Sequence, residues 1–313
     1  MTNNTYEIYY DAFQEGKWFQ CLSKHLSDAI LLPISQTDNP EVRKLLRYDK
    51  PDIILLHNGK AVISLEKTTE VPTGHNIGQR FGRIVCAAEE KVIGIYFGPF
   101  LAMKHGTYAG KCWLNVRQLR AMLKLKEFHH IPSLAVNWKC DSKYELIRNG
   151  TETDGLSSLV NRLIEHNFSP NITGVSLVEQ EMGEVIDESE TRRSAYKEPP
   201  PSARIISTDK YKQDKRLNGV QLPKYFFSRA KSLHYVVGMK AGLRSDPFTG
   251  MQLVYDYAYC RTGPNKEDRS INLVMEIPDL SVKDWDSVTN TERKDKRMLK
   301  LFPDLLLLKD GVV

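Results

Sequence analysis

Hydrophobic and polar residues in the first third of the chain follow first a helical and then a strand-like spacing. Apolar residues recur at roughly helical intervals over residues 9–27, which predicts a first helix. An apolar run over residues 29–34 is ended by prolines and polar residues and predicts a strand. Residues 52–68 hold two apolar runs around Asn58-Gly59, a pair that type I′ turns favour, and therefore predict a β-hairpin.

The alternation of helical and strand-like segments continues to residue 138. Helical spacing predicts helices over residues 76–90 and 115–126. Short apolar runs predict buried strands over residues 92–98 and 131–138. Because helices and strands alternate, this half of the chain predicts an α/β fold with a mixed central sheet and flanking helices.

An acidic segment follows this unit. Residues 153–168 predict one more helix, and residues 179–190 hold six acidic residues and no basic one. Glu198 is followed by three prolines. Like charges and a proline run are typical of an exposed or mobile linker. We therefore predict an N-terminal domain, a linker and a C-terminal region, over residues 1–168, 169–203 and 204–313.

The second half of the chain has a weaker pattern. It predicts a helix over residues 222–240, a strand over 252–261 from strict alternation of tyrosines, and a strand over 271–277. The tail 303–313 predicts a strand with a turn. It also echoes residues 51–62, so a half-formed duplication or a truncated chain is the alternative. Together these segments predict a smaller α+β region.

Composition restricts the class of protein. The chain has 313 residues, of which 41% are hydrophobic and 27% charged, as in a globular protein in water. No apolar run approaches the ~20 residues that span a bilayer, and the first residues lack a signal-peptide pattern. Five scattered cysteines without metal-ligand spacing favour reduced thiols in a cytoplasm. A net charge of +5 is compatible with a polyanionic partner.

Two acidic residues lie at the same end of the predicted hairpin. Asp52 opens its first arm and Glu66 lies near the end of its second. Folding the turn brings them to one sheet edge, and paired carboxylates are a common way to hold a hard divalent cation. An acid that ends a strand as apolar as 61–65 is costly to bury without a counter-charge, which favours a functional role.

These residues resemble the PD-(D/E)XK nuclease superfamily, which includes many type II restriction endonucleases. In that superfamily an aspartate, often after proline, and an acidic-x-Lys triplet lie on adjacent strands and bind magnesium. Pro51-Asp52 matches the first part and Glu66 matches the acidic residue. The resemblance covers about the first 140 residues and implies an αβββαβ core, with Mg²⁺ bound by Asp52 and Glu66.

The third position departs from the superfamily pattern. Residue 68 is threonine, and the lysine is Lys67. Because side chains alternate along a strand, the side chain of Lys67 is expected on the opposite face from Glu66. Either Thr68 replaces the lysine, or a bulge after Glu66 turns Lys67 inward, or another base serves. Glu70 lies on the Glu66 face and is a candidate for a second metal.

The helix after the hairpin and the next basic helix supply candidate phosphate contacts. Gln79 and Arg83 are four residues apart on one helical face, with Arg80 beside them. The resemblance implies that such residues contact phosphate or orient the acidic residue. A basic stripe predicts contacts with the DNA backbone and comprises Lys104, Lys111, Arg117, Arg120, Lys124 and Lys126. The basic segment 204–231 is a further candidate for wrapping DNA.

By this resemblance the sequence predicts a magnesium-dependent endonuclease that hydrolyses double-stranded DNA, either a sequence-specific restriction enzyme or a related defence nuclease. The N-terminal domain would carry catalysis, and the C-terminal region would bind DNA or dimerise. Cutting both strands of a palindromic site makes a homodimer the simplest assembly. The alternatives are a nucleic-acid-binding protein that has lost catalysis on a nuclease-like fold, and a nuclease that cleaves RNA.

Overall fold

A computed structural model describes residues 4–69, 74–105, 110–111, 116–238, 250–288 and 294–313. Only the backbone is described at residues 74–77, 79, 110–111, 288 and 294–297. The strands are β1 Tyr6–Tyr10, β2 Ile30–Pro33, β3 Ile53–His57, β4 Lys60–Lys67, β5 Ile93–Gly98, β6 Met103–Lys104, β7 Gly110–Lys111, β8 Ser133–Asn137, β9 Ala203–Ser207, β10 Lys231–Val236, β11 Asn272–Ile277 and β12 Leu305–Leu308. The α-helices are α1 Phe13–Gln20, α2 Pro40–Arg43, α3 Gly74–Glu89, α4 Val116–His129, α5 Asp154–Glu165, α6 Thr173–Arg192, α7 Met251–Tyr255, α8 Val282–Val288 and α9 Lys294–Leu301.

A six-stranded mixed sheet in the order β2-β1-β3-β4-β5-β8 forms the centre of the first half. β3 and β4 make the predicted antiparallel hairpin, and its turn places Asn58 and Gly59 at positive φ of 50° and 75°. α3 then crosses to β5 and α4 to β8, and both strands run parallel to their neighbours. These connections put the ends of β4 and β5 beside α3.

The second half contains a four-stranded mixed sheet in the order β12-β11-β10-β9, in which only the β9–β10 pair is antiparallel. Two mixed sheets with flanking helices confirm the predicted α/β class. The strand predicted over 271–277 and the strand with a turn predicted in the tail are both present, as β11 and β12. The division of the chain into domains stays a prediction.

The predicted first helix is only partly right. Residues 6–10 form β1, which pairs with both β2 and β3, and the helix itself begins at Phe13. Tyrosine and isoleucine favour strands, and β1 is buried between two partners, so pairing across the sheet decides its conformation.

The acidic residues 179–190, which the sequence places in an exposed or mobile linker over 169–203, are helical. These residues belong to the helix α6, in which Met182 and Ile186 are buried. The acidic side chains of α6 meet basic side chains of α4, because Lys126 lies 2.5 Å from Glu179 and Arg120 lies 3.3 Å from Glu190. Glutamate is a good helix former, and α4 supplies the charges that neutralise it.

Two further predictions in the second half are wrong. Residues 231–236 form the strand β10 where a helix was predicted, and residues 252–261 form α7 and a π-helical turn, Asp256–Cys260, where a strand was predicted. Every residue from 251 to 257 is buried. A helix that is buried on all sides has no polar face, so the period that distinguishes helix from strand is missing.

The buried helix α7 packs against α3 and α4 of the first half, so the two halves share one hydrophobic core. Gly78 permits this approach, since a Cβ there would lie 2.2 Å from the sulfur of Met251. Phe81 and Tyr257 meet edge to face across the same junction. The junction therefore fixes α3, the helix that also covers the candidate site.

Candidate functional site

Asp52 and Glu66 lie side by side on adjacent strands. The hairpin register pairs Ile53 with Leu65, which makes Asp52 and Glu66 the next opposed residues, with side chains on the same face. The backbone N–H of Lys67 donates to Asp52 Oδ2 at 2.7 Å and fixes this carboxylate at the strand end. The hairpin thus brings together the two acids that the sequence singled out.

Arg83 of α3 joins these two carboxylates. Its Nη1 lies 2.5 Å from Glu66 Oε2 and 3.6 Å from Asp52 Oδ1. Its Nε donates to Asp49 Oδ2 at 2.7 Å. One guanidinium therefore faces three carboxylates, so positive charge is scarce relative to negative charge at this point.

Glu66 is fully buried, and its carboxylate is only half satisfied. Oε2 accepts the Arg83 hydrogen bond, whereas Oε1 is buried with no hydrogen-bond partner among the described residues. Burial, with a smaller contribution from Asp52, raises the pKa of Glu66 to about 8, although Arg83 and Arg80 oppose this shift. Near neutral pH this carboxyl group therefore attracts a proton or another cation.

Arg80 lies about one turn before Arg83 on α3, and its side chain reaches the end of β4. Its Nη1 donates to the carbonyl oxygen of Lys67 at 2.7 Å, and its Nε lies 4.0 Å from Glu66 Oε2. The helical spacing noted in the sequence therefore does direct arginines to the acidic pair. The side chain of Gln79 and the whole of Glu70 lie outside the described residues.

The lysine of this segment faces away from Glu66. The β4–β5 register is continuous through Lys67, and the one irregularity in the hairpin lies between Leu55 and Leu56, so the bulge alternative is wrong. The Lys67 ammonium lies 4.2 Å from the ring centroid of Trp18 on α1. Burial lowers the pKa of Lys67, while the charges of Glu15 and Asp52 oppose that shift.

Thr68 occupies the position where the superfamily pattern has lysine. Its N–H donates to Phe97 O at 2.9 Å, which ties the end of β4 to β5. Its methyl group fills the space over Gly98, where a Cβ would lie 2.3 Å away. Both contacts position the strand end.

Sequence reasoning missed two acids at this site. Glu15 of α1 is half-buried, and its pKa is raised by burial and by the charges of Asp52 and Asp11. The sequence did carry a signal, because Glu15 lies four residues before the buried Phe19 and so shares its helical face. Asp49, the second missed acid, lies in an irregular segment whose geometry no periodicity predicts.

The basic stripe proposed for DNA is largely used within the protein. Arg117 donates to the carbonyl oxygens of Ala195 and Glu198, and Arg120 approaches Glu190 of α6. Lys124 pairs with Glu127 one turn later on α4.

Lys104 is half-buried in the short strand β6, and the side chain of Lys111 is not among those described. The α4 arginines therefore hold the 195–198 segment in place, and their contact with DNA stays a prediction.

Asp52 and Glu66 have the side-chain chemistry that a magnesium ion uses, although Arg83 Nη1 lies between an oxygen of each. Mg²⁺ uses one or two carboxylates and takes its other oxygens from water and phosphate, and the unpaired Oε1 of Glu66 is an available ligand. Within the described part of the chain, no group of three or more histidine, cysteine or acidic residues has metal-binding geometry. A cation bound by Asp52 and Glu66 would compete with Arg83 for their oxygens, and Arg83 would keep its ion pair with Asp49.

Family models, curated proteins and solved structures give no match to this chain. Among the helices that the structure describes, none has the length and apolar character needed to cross a membrane. Of the cysteines, Cys21, Cys86, Cys140 and Cys260 are free thiols, and Cys112 falls outside the described ranges.

Proposed function

We propose that the protein is a metal-dependent nuclease that hydrolyses DNA phosphodiester bonds. The observation that carries this proposal is the pairing of Asp52 with Glu66 at one strand end, with a buried carboxylate oxygen of Glu66 left unpaired. Natural proteins rarely leave such an atom unsatisfied, because the cost is about 1–3 kcal/mol. A bound cation would remove that cost.

The connection of strands around the pair supports the proposal. β1, β3 and β4 are successive antiparallel neighbours, and α3 leads from β4 to the parallel strand β5. This order is similar to the core that the resemblance implies, although α1 lies between β1 and β3 rather than before the three strands. A restriction or defence role, a homodimer and a cytoplasmic location belong to the same proposal.

Each residue at the site has a role in this proposal. Asp52 and Glu66 would hold Mg²⁺, which when bound polarises the scissile phosphate and lowers the pKa of an attacking water. Arg83 orients Glu66, and Arg80 fixes the strand end through Lys67 O. The Lys67 ammonium lies over the ring of Trp18, and the negative charges of Glu15 and Asp52 favour its protonated form.

A second candidate is a nucleic-acid-binding protein without catalysis. The observation that favours it is the guanidinium of Arg83, which occupies the oxygens that a metal would need. The threonine at position 68 also leaves the usual lysine position without an amine.

The experiment is digestion of a complex genomic DNA with Mg²⁺ or Mn²⁺, followed by sequencing of fragment ends. We expect the wild type to cleave DNA, and Asp28→Asn, at an exposed acid, to retain that activity. Asp52→Asn and Glu66→Gln should each reduce cleavage at least about 100-fold. Calorimetric Mn²⁺ titration gives an independent readout, in which Asp52→Asn should lose binding. Absent cleavage together with equal metal binding by all variants would refute the proposal. Activity created by Thr68→Lys in an inactive wild type would favour the second candidate.

A further inference from the structure

The described basic side chains of segment 204–231 divide into two groups. Arg216 and Arg229 lie in internal contacts with Glu276 and Asp304. The others are exposed at the surface: Arg204, Lys210, Lys212, Lys215, Lys224 and Lys231. Because the α4 arginines are used inside the protein, this second group is the stronger candidate for contact with a polyanion.

A groove of about 400 Å³ runs through this basic surface, with Lys212, Lys224, Asn218 and Phe227 in its lining. The Phe227 side chain is 42% exposed. It packs at 87° against the fully buried ring of Phe226, with 5.2 Å between centroids. The buried ring therefore holds the exposed ring of Phe227 in place, with the Lys212 ammonium 5.6 Å from its centroid.

The acids of the segment do not cancel this charge. Asp214 is engaged by Arg216 at 2.7 Å. Asp209 pairs with Lys212 at 2.7 Å, but both side chains are exposed, at 73% and 59%. Exposed pairs contribute little, so a phosphate can replace Asp209 as the partner of Lys212.

We propose that this groove binds a nucleic-acid strand, with Lys212 and Lys224 on backbone phosphates and an unpaired base stacked on Phe227. Lysines beside an exposed aromatic ring are the combination that single strands use, since phosphates supply sequence-independent affinity and every base has a π-face. The choice of DNA as the strand rests on the proposed nuclease function. The contact itself does not, because it lies in the second sheet region and uses none of the residues around Glu66.

The concave shape favours a strand over an anionic membrane. A bilayer surface is flat, whereas Lys212, Lys224 and Phe227 line a groove. A protein partner would bury a larger apolar area than one phenylalanine ring supplies.

The test is fluorescence anisotropy of labelled single-stranded and duplex DNA in EDTA, where cleavage cannot occur. The double variant Lys212→Ala/Lys224→Ala is compared with Lys24→Ala/Lys143→Ala, which removes the same charge from exposed positions in the first half. We expect the groove variant to lower the salt dependence of single-strand binding by about 1.4 in log–log slope, and the control to leave it unchanged. Phe227→Ala should weaken single-strand binding roughly tenfold and duplex binding less.

Phe227→Leu repeats the stacking test with a side chain of similar volume, in case the alanine variant is poorly folded, and thermal unfolding monitors all variants. Equal losses in the groove and control variants would overturn the inference. So would unchanged DNA binding accompanied by lost binding to vesicles of anionic lipid. If the wild type binds DNA through the groove but never cuts it, the nuclease proposal fails and the groove proposal stands. If the wild type cuts DNA but the groove variants bind it normally, the groove proposal fails and the nuclease proposal stands.

Discussion

Two buried clusters of arginine and carboxylate, one in each half of the molecule, differ in how completely their charges are paired. The first surrounds Glu66 and has one principal cation, Arg83, facing three carboxylates. The second surrounds Asp256, which accepts hydrogen bonds from two arginines. Arg269 Nε lies 2.8 Å from Asp256 Oδ1, and Arg261 Nε lies 2.8 Å from Asp256 Oδ2.

The two carboxylates are equally buried, yet their pKa values move in opposite directions. Burial acts to raise the pKa of Asp256, but the charges of Arg269 and Arg261 outweigh it, and the net shift is downward. At Glu66 burial prevails over Arg83, and the pKa rises to about 8. The supply of cationic partners, rather than burial, therefore separates the two sites.

This difference separates a structural cluster from a candidate ligand site. Asp256 has both oxygens hydrogen-bonded, and Arg269 Nη1 lies 3.0 Å from Asp304 Oδ1 as an ion pair without a hydrogen bond. Glu66 retains an unpaired oxygen. A carboxylate whose two oxygens both accept hydrogen bonds from arginines holds the fold, whereas a carboxylate with an unmatched oxygen has capacity for a cation.

The largest expected effect comes from breaking the complete cluster. Arg269→Met leaves Asp256 with Arg261 alone and Asp304 with Arg229 alone, so each buried carboxylate loses one of its two cations. This should lower the free energy of unfolding by about 3–5 kcal/mol. Urea unfolding measures this change. The control is Arg43→Met, which removes an exposed pair with Asp38 and should change stability by less than about 1 kcal/mol. Similar values for both variants would show that burial of Arg269 does not matter.

The second prediction uses the pKa of Glu66 and sharpens the comparison. Because this pKa is raised from 4.5 to about 8 on folding, the folded protein keeps a proton that the unfolded chain releases. The stabilising contribution is therefore complete below pH 4.5 and lost as the pH rises through about 8. Wild-type stability should fall by about 2–4 kcal/mol over this interval through Glu66 alone.

Glu66→Gln should remove that pH dependence, and urea unfolding at pH 5, 7 and 9 measures the difference from wild type. Glu165→Gln, at an exposed position, is the matched control and should follow the wild-type curve. Mg²⁺ at pH 9 should restore stability to the wild type but not to Glu66→Gln, because a bound cation replaces the lost proton. Parallel curves for wild type and Glu66→Gln would mean that the carboxyl group is already fully ionised at pH 5.

The incomplete cluster was partly predictable from the sequence, and the complete one was not. Asn58-Gly59 predicts the hairpin, but the register of its two-residue turn alone would oppose Asp52 to Leu65. The irregularity between Leu55 and Leu56 shifts the pairing by one residue and brings Asp52 opposite Glu66, and no local spacing predicts that shift. Helical spacing predicted that Arg83 faces the acidic strand. The second cluster joins Asp256 in a buried helix to Asp304, which lies after β11, α8 and α9, and no local spacing predicts such a contact.

Long-range pairing of charges limits what the charged faces of α4 and α6 indicate in the sequence. The basic stripe on α4 and the acidic run in α6 were each interpreted as a solvent-facing or ligand-facing surface. Arg120 and Lys126 instead meet Glu190 and Glu179. Opposite charges far apart in a sequence neutralise each other only when the fold brings the helices together, so a single sequence does not distinguish a DNA-binding stripe from a helix interface.

The smallest expected effect tests this α4–α6 contact and extends the comparison to a partly exposed pair. Lys126 and Glu179 side chains are 36% and 16% exposed and lie 2.5 Å apart. Water screens such a pair, so a double-mutant cycle with Lys126→Ala and Glu179→Ala should give a coupling energy of only about 0.5 kcal/mol. Urea unfolding of the two single variants and the double variant measures it. A coupling of several kcal/mol would place this pair with the Asp256 cluster and would mean that exposure is not what sets the size of the effect.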